Sequence, residues 1–326
     1  MAGLTWDLEL LDQMTAAEAY GEELTELGRE HEHVVALAAD LAKSTKIRAF
    51  FDAFPERSFN FGVAEANMMA AAAGMAACGK LPFVNTFAVF ASMRACEMVR
   101  TDIAYPSANV KIIGTHSGVA FGQAGSTHVC TEDLGIVRTM ANMTIVVPAD
   151  SYEMVKLVHA CVEDHVGPLY TRVGRGLEPT VYEDMDFEFT IGKANTMKQG
   201  EDLTFIACGV GVLAAVEASE YLEDEGKSAR VVDMHTIKPL DREAVISAAR
   251  ETGGIITVED HNIVNGLGTA VAEVLAEEAI AIRFQRVGIP DEFTQIGYPE
   301  ELYPYYKLDG PGLTEVGMAM LEKPKP

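Results

Sequence analysis

Short apolar runs rich in β-branched and aromatic residues recur along the first half of the chain. They are VVALAAD (34–40), FNFGV (59–63), LPFVNTF (81–87), VKIIGTH (110–116), MTIVVPAD (143–150) and PLYTRV (168–173). Amphipathic or alanine-rich stretches of helical length separate most of them, notably 64–78 and 88–104. Continuous apolar strands alternating with helices predict a parallel sheet covered on both faces. The rhythm breaks at GRGLEPTVYEDMDFEF (174–189), a polar, acidic, proline-containing interval that reads as a linker. Beyond it LTFIACG, ARVVDMH and GIITVEDH repeat the β–α pattern, with helices expected at 211–225, 241–250, 267–279 and 312–322. The expected fold class is α/β throughout, with a first domain over 1–175, a linker at 176–190 and a smaller α/β domain over 191–326.

Composition adds limits rather than detail. A chain of 326 residues with 48% hydrophobic content can bury two ordinary cores. A net charge of -24 argues against nucleic acid or an anionic membrane as a partner. An anionic substrate would need a local basic pocket inside this negative field. Cys78, Cys96, Cys130, Cys161 and Cys208 are scattered without a CxxC pair, the pattern of a reducing compartment. No apolar stretch approaches the ~20 residues that span a bilayer, and no apolar run follows a basic start. The expected location is the cytoplasm.

Glu65 is the most informative residue. The run ending at Val63 leads into a carboxylate that opens an alanine-rich helix, at the sheet edge where α/β proteins place their chemistry. Phe87 and Phe90, spaced i, i+3, follow the next strand. A carboxylate facing an aromatic platform suits a flat, nitrogenous heterocycle. The acidic start of a helix has a plain structural reading too, since carboxylates favour that end of the macrodipole. The glycine-rich loop THSGVAFGQAGSTH (115–128) carries His116 and His128 just beyond a strand, a fitting proton-relay or oxyanion site, or else a turn with capping hydroxyls. The histidines are too far apart in sequence for a metal motif and lack a third ligand, and His31-Glu32-His33 reads as a solvated helix end. Arg172 offers a bidentate donor for phosphate or carboxylate at the same edge, with a surface or interdomain ion pair as the alternative. Gly209 and Gly211, with Asp233 closing the next strand, make a weak dinucleotide fingerprint; any tight strand-to-helix turn uses glycine in the same way.

Taken in order, AADLAKS, FNFGVAEANMMAAAAGMA, LPFVNTFAVFASMRACEMVR, GTHSGVAFGQAGSTHVCTEDLG and IVVPAD resemble the pyrimidine-binding domain of transketolase. The later HTIKPLD and TVEDHNIVNGLG are similar to the transketolase C-terminal domain. The chain thus resembles the C-terminal half of a split transketolase, encoded separately from its N-terminal half. The resemblance implies thiamine diphosphate chemistry, the transfer of a two-carbon ketol unit from a ketose phosphate to an aldose. By the same resemblance Glu65 hydrogen-bonds the pyrimidine ring nitrogen, Phe90 stacks on the ring, Phe87 lines the pocket and Asp40 lies near the cofactor. Ser44, His116, His128 and Arg172 fall where the family contacts sugar or phosphate. The family's GDG motif, which holds the diphosphate and Mg2+ or a similar divalent metal, does not occur here. The resemblance therefore implies a separate N-terminal subunit carrying that motif, in a symmetric α2β2 assembly with the site at an interface.

Three positions depart from the family pattern. Ala124 replaces an aspartate that contacts a sugar hydroxyl, which bears on stereochemical preference. Met93 stands where the family has a tyrosine, and an arginine that some members place near Glu18 is absent. Other readings are the β subunit of a 2-oxoacid dehydrogenase E1 component, a 1-deoxyxylulose-phosphate-synthase-like half, a silent regulatory subunit and, least favoured, a nicotinamide enzyme.

Overall fold

The computed structural model describes residues 8–176 and 180–324. Its strands fall into two sheets. Six come from the first half of the chain: β1 (Val34–Ala38), β2 (Ser58–Asn60), β3 (Leu81–Phe87), β4 (Lys111–Thr115), β5 (Thr144–Val146) and β6 (Leu169–Arg172). Six follow in the second half: β7 (Asn195–Lys198), β8 (Leu203–Ala207), β9 (Ala229–Asp233), β10 (Thr236–Lys238), β11 (Gly254–Asn262) and β12 (Arg283–Ile289).

The larger sheet runs β10-β5-β6-β4-β3-β1-β2 and the smaller β12-β11-β8-β9-β7. Pairings within β1–β6 are parallel, as continuous apolar strands predict. Alternate residues of one strand feed different faces. Val35 and Leu37 join one core with Val84, Ile112 and Tyr170, whereas Val34 and Ala36 join another with Phe83, Ile113 and Leu169. This two-sided burial is why the strands show no polar alternation. In the smaller sheet, Phe205, Val231 and Val258 pack under helices Gly211–Asp224 and Gly310–Leu321. Ile206, Val232 and Ile255 face helices Arg242–Glu251 and Leu267–Glu277 on the other side.

Three features depart from the sequence reading. The segment HTIKPLD, assigned to the second domain, sends β10 across to pair antiparallel with β5 of the first sheet. The parallel sheet therefore has an antiparallel edge supplied by the other half of the chain, and Ile145 and Val147 share a core with Met234 and Ile237. The expected ordinary helix over 88–104 is instead wound wide, with π turns at Phe90–Arg94 and Val99–Ala104 around a short α segment. β7 and β12 have no counterpart among the expected strands; β12 carries exposed or half-buried polar positions that hide its periodicity.

Candidate active site

The strand order reverses around β1, which lies between β2 and β3, and the carboxyl ends of β1, β2, β3, β4 and β6 open onto one edge. That edge is where open α/β sheets bind ligands. β2 ends at Asn60, whose side-chain oxygen accepts the Gly62 N–H at 3.1 Å and the Asp40 N–H at 2.9 Å. Gly62 then turns the chain in the left-handed region (φ 66°), and helix Glu65–Ala77 starts at once. Glu65 is tucked inward by this turn and is only 3% exposed. Asp40 itself has φ 61° and sits exposed at the end of β1, its carboxylate accepting from the Asn60 amide at 3.3 Å.

Aromatic rings gather near Glu65, joined to it through Arg94, which donates to Glu65 at 3.0 Å and lies 3.8 Å from the Phe90 centroid. Phe87 and Phe90 are stacked with centroids 5.6 Å apart, and the His116 ring stacks on Phe87 at 3.9 Å. His128 meets Phe90, Phe121 and Phe87 edge-on at 5.5, 5.6 and 6.0 Å. Burial, helped by the cations Arg175 and Lys46 and by His128, depresses the His116 imidazole to about 3. It is therefore neutral near pH 7, with Nδ1 3.0 Å from the Thr115 hydroxyl. The structure thus brings Glu65, Phe87, Phe90, His116 and His128 into one neighbourhood.

A cleft of about 600 Å³ adjoins His116 and is lined by Lys43, Ser44, Lys46, Gln123, Arg175 and Tyr298 among others. Three cations around one cleft are notable in a chain of charge -24. Lys46 is held by Glu18 at 2.9 Å, and the Arg175 guanidinium lies 4.5 Å from the Phe121 centroid. Lys43, Lys46 and Arg175 escape a reading of the sequence because isolated basic residues carry no spacing signal. The RxxR pair at Arg172 and Arg175 could have pointed to the second arginine.

Arg172 is the correction. The sequence offers it as a phosphate donor, but its guanidinium is buried against the second domain. Nε donates to both oxygens of Asp133 at 3.1 and 3.0 Å, and Nη2 donates to the carbonyls of Cys130 and Asp260. Tyr170 donates to the same Asp133 carboxylate at 2.7 Å. The side chain is 4% exposed and Asp133 0%, which leaves the guanidinium enclosed in an ion pair within the first domain and capped by the Asp260 carbonyl of the second. The dinucleotide reading fails for a similar reason. Gly209 (φ 54°) turns against Val147, and a Cβ on Gly211 would lie 3.0 Å from Val258. The Asp233 carboxylate is fully buried and accepts from the Tyr182 hydroxyl at 2.8 Å, leaving no ribose ligand.

The loop that carries His128 is pinned from the second domain. A bridge between Gly118 and Cys130 closes its neck, and the Asp260 carboxylate accepts the Val119 N–H at 3.1 Å. Burial pushes Asp260 up to about 7, against the pull of Arg172. Among the described residues no group of three or more His, Cys, Asp or Glu side chains is placed to hold a metal ion. No helix among them is long and apolar enough to cross a membrane.

This is a two-domain α/β protein with a buried carboxylate, an aromatic stack and a basic cleft at one sheet edge. The description "Transketolase, pyrimidine binding domain" matches residues 12–180, and "Transketolase, C-terminal domain" matches 192–313. A transketolase C-terminal section from Methanocaldococcus jannaschii is 43% identical, over 94% of this chain and 96% of its own length. One subunit of an apulose-4-phosphate transketolase from Phocaeicola vulgatus is 40% identical, over 96% of this chain and 99% of its own. A split-gene transketolase solved as an inactive β4 tetramer superposes with a TM-score of 0.85 at 43% identity, covering 94% of this chain and 98% of that one. The chain belongs to the transketolase family.

Proposed function

We propose that this chain is the pyrimidine-binding subunit of a thiamine-diphosphate-dependent transketolase that moves a two-carbon ketol unit from a ketose phosphate to an aldose. A separate N-terminal subunit, carrying the GDG motif and the divalent metal, completes the site in an α2β2 assembly. The observation that carries this reading is the buried Glu65 carboxylate beside the Phe90–Phe87 stack.

The residues present fit the pyrimidine end of the cofactor. A flat, nitrogen-bearing group, the Arg94 guanidinium, already lies 3.8 Å from the Phe90 centroid while donating to Glu65 at 3.0 Å. The pocket therefore accepts a planar group that stacks and hydrogen-bonds together. Bound there, thiamine diphosphate would supply the electron sink for breaking and making a carbon–carbon bond beside a carbonyl. Glu65 would hold the proton at the pyrimidine ring nitrogen, a charge-assisted contact of ~1.5–3 kcal/mol. Phe90 and Phe87 would fix the ring plane and exclude water. His116, neutral, suits a sugar oxygen rather than a phosphate, and His128 stands beside it. The phosphate falls to Ser44 with Lys43, Lys46 and Arg175.

Exposed apolar residues favour a partner. Phe59, Val63 and Met93 are 36%, 73% and 42% exposed on the segments that carry Glu65 and Arg94. That the similar split-gene chain formed an inactive β4 tetramer supports dependence on a second subunit. The five cysteines are free, in keeping with a reducing cytoplasm.

The test is co-expression with the GDG-bearing partner, followed by ketose- and aldose-phosphate assays and a 2-oxoacid assay with an artificial electron acceptor. Glu65→Gln should lower ketol transfer by roughly two orders of magnitude, near 2.7 kcal/mol of barrier. Near-normal turnover in that variant, or activity on 2-oxoacids alone, overturns the reading.

A further inference from the structure

Arg94 has no part in the sequence reading, yet it touches both groups assigned to the pyrimidine. Its guanidinium covers the Phe90 ring at 3.8 Å, and Nη1 donates to Glu65 Oε1 at 3.0 Å. The π turn at Phe90–Arg94 sets this up, with the Ala95 N–H donating back to the Phe90 carbonyl at 3.3 Å. Such wide turns recur at functional sites. A guanidinium is planar, permanently cationic and able to stack on an aromatic face. An aminopyrimidine offers the same combination of flat surface and in-plane nitrogens. Both cannot rest on the same face of Phe90 and bond the same carboxylate oxygen.

We propose that Arg94 fills the pyrimidine's seat in the cofactor-free subunit and withdraws when the cofactor enters. The burial of the two partners favours this arrangement. Glu65 is 3% exposed, and an unpaired carboxylate at that depth is costly. Arg94 is 49% exposed, so it can swing into water at small cost. The Arg94 contact thus keeps the buried carboxylate paired, and the cofactor competes with a tethered occupant for one site. Every cofactor-binding event includes the displacement of Arg94, which lowers the apparent affinity. The proposal rests on the reading of Glu65 as the pyrimidine ligand.

Calorimetric titration of thiamine diphosphate with Mg2+ into the reconstituted complex tests it without recourse to activity. Removing the occupant in Arg94→Ala should tighten the apparent Kd three- to tenfold. Arg94→Lys should fall between, because an ammonium pairs with Glu65 but leaves the Phe90 face open. Melting curves of each complex without cofactor confirm that the fold is retained. An unchanged or weakened Kd in Arg94→Ala overturns the proposal. The underlying reading has its own arm: Glu65→Gln, added to the Arg94→Ala background where no occupant remains, should weaken binding at least tenfold. A silent Glu65→Gln there refutes the Glu65 assignment itself, whereas a weakened one beside an unimproved Arg94→Ala refutes only the displacement of Arg94.

Discussion

Replacing Arg172 by methionine separates a structural ion pair from a substrate ligand. Methionine keeps an unbranched stem of similar girth and removes the guanidinium. Asp133, 0% exposed, then keeps the Tyr170 hydroxyl at 2.7 Å but loses its cation. The carbonyls of Cys130 and Asp260 lose a donor as well. Breaking a buried pair on one side costs about 3–5 kcal/mol, a large share of the ~5–15 kcal/mol that holds a domain together. For a chain of this size unfolding as one unit, that is a melting shift of roughly 4–7 °C. The double variant Arg172→Met/Asp133→Leu should recover most of the loss, because replacing both charges with apolar groups removes the stranded carboxylate. Thermal melts and urea titrations give the stability, and steady-state kinetics of the reconstituted complex give KM for phosphorylated substrates. Arg175→Ala serves as the mirror image. Its side chain is exposed at the cleft, so stability should hold while KM rises about tenfold, the effect of losing one charged phosphate contact. If Arg172→Met melts like the unaltered protein and raises KM instead, the ion-pair reasoning is wrong and Arg172 reaches the substrate.

Two further outcomes test the framework around the site. Gly118 has φ 57°, and a Cβ there would lie 1.8 Å from the Asp260 carboxylate. Gly118→Ala should therefore break the Asp260–Val119 latch and cost more than about 2 kcal/mol; a melting temperature within about 2 °C of the parent would refute the latch. His235 is fully buried, its ring 4.5 Å from Phe189 and its Nε2 3.9 Å from Glu153, and burial depresses it to about 4 despite the pull of Asp241. The unfolded chain takes up a proton below about 6.5 that the folded one refuses, so this contribution to stability is lost as pH falls from about 6.5 toward 4. Relative to His235→Phe, the parent should lose about 2 kcal/mol between about pH 7 and pH 5 in urea titrations. A pH-independent difference would mean that His235 takes up its proton in the fold as readily as in the unfolded chain.

How much can be read from the chain depends on whether the information is local. A strand run followed by a left-handed glycine and a carboxylate is a contiguous signal, and Glu65 stands out for that reason. Phe87 and Phe90 follow from their spacing after an apolar strand. The ordered motifs also carry the α/β class, because buried parallel strands need uninterrupted apolar runs. Arg172 shows where such reading stops. An arginine at a strand's end has the same local sequence whether it meets a phosphate or a carboxylate from a distant loop. Only the folded chain decided that, with helix Asp133–Arg138 bringing Asp133 to the guanidinium and the docking of β11 adding the Asp260 carbonyl.

Two other features were likewise invisible until the chain closed on itself. β10 leaves its neighbours in sequence to pair with β5, because the edge of the first sheet offered free backbone groups close by. Arg94 reaches Glu65 across 29 residues, through a π turn that ordinary helical periodicity does not foretell. The amino-acid order by itself determined most of the elements, the family and the acidic residue at the sheet edge, since each rests on neighbours a few positions apart. The tertiary structure alone decided which charges are spent on holding the domains together and which remain at the cleft. Pairing of that kind depends on distance in space, and no local pattern records it.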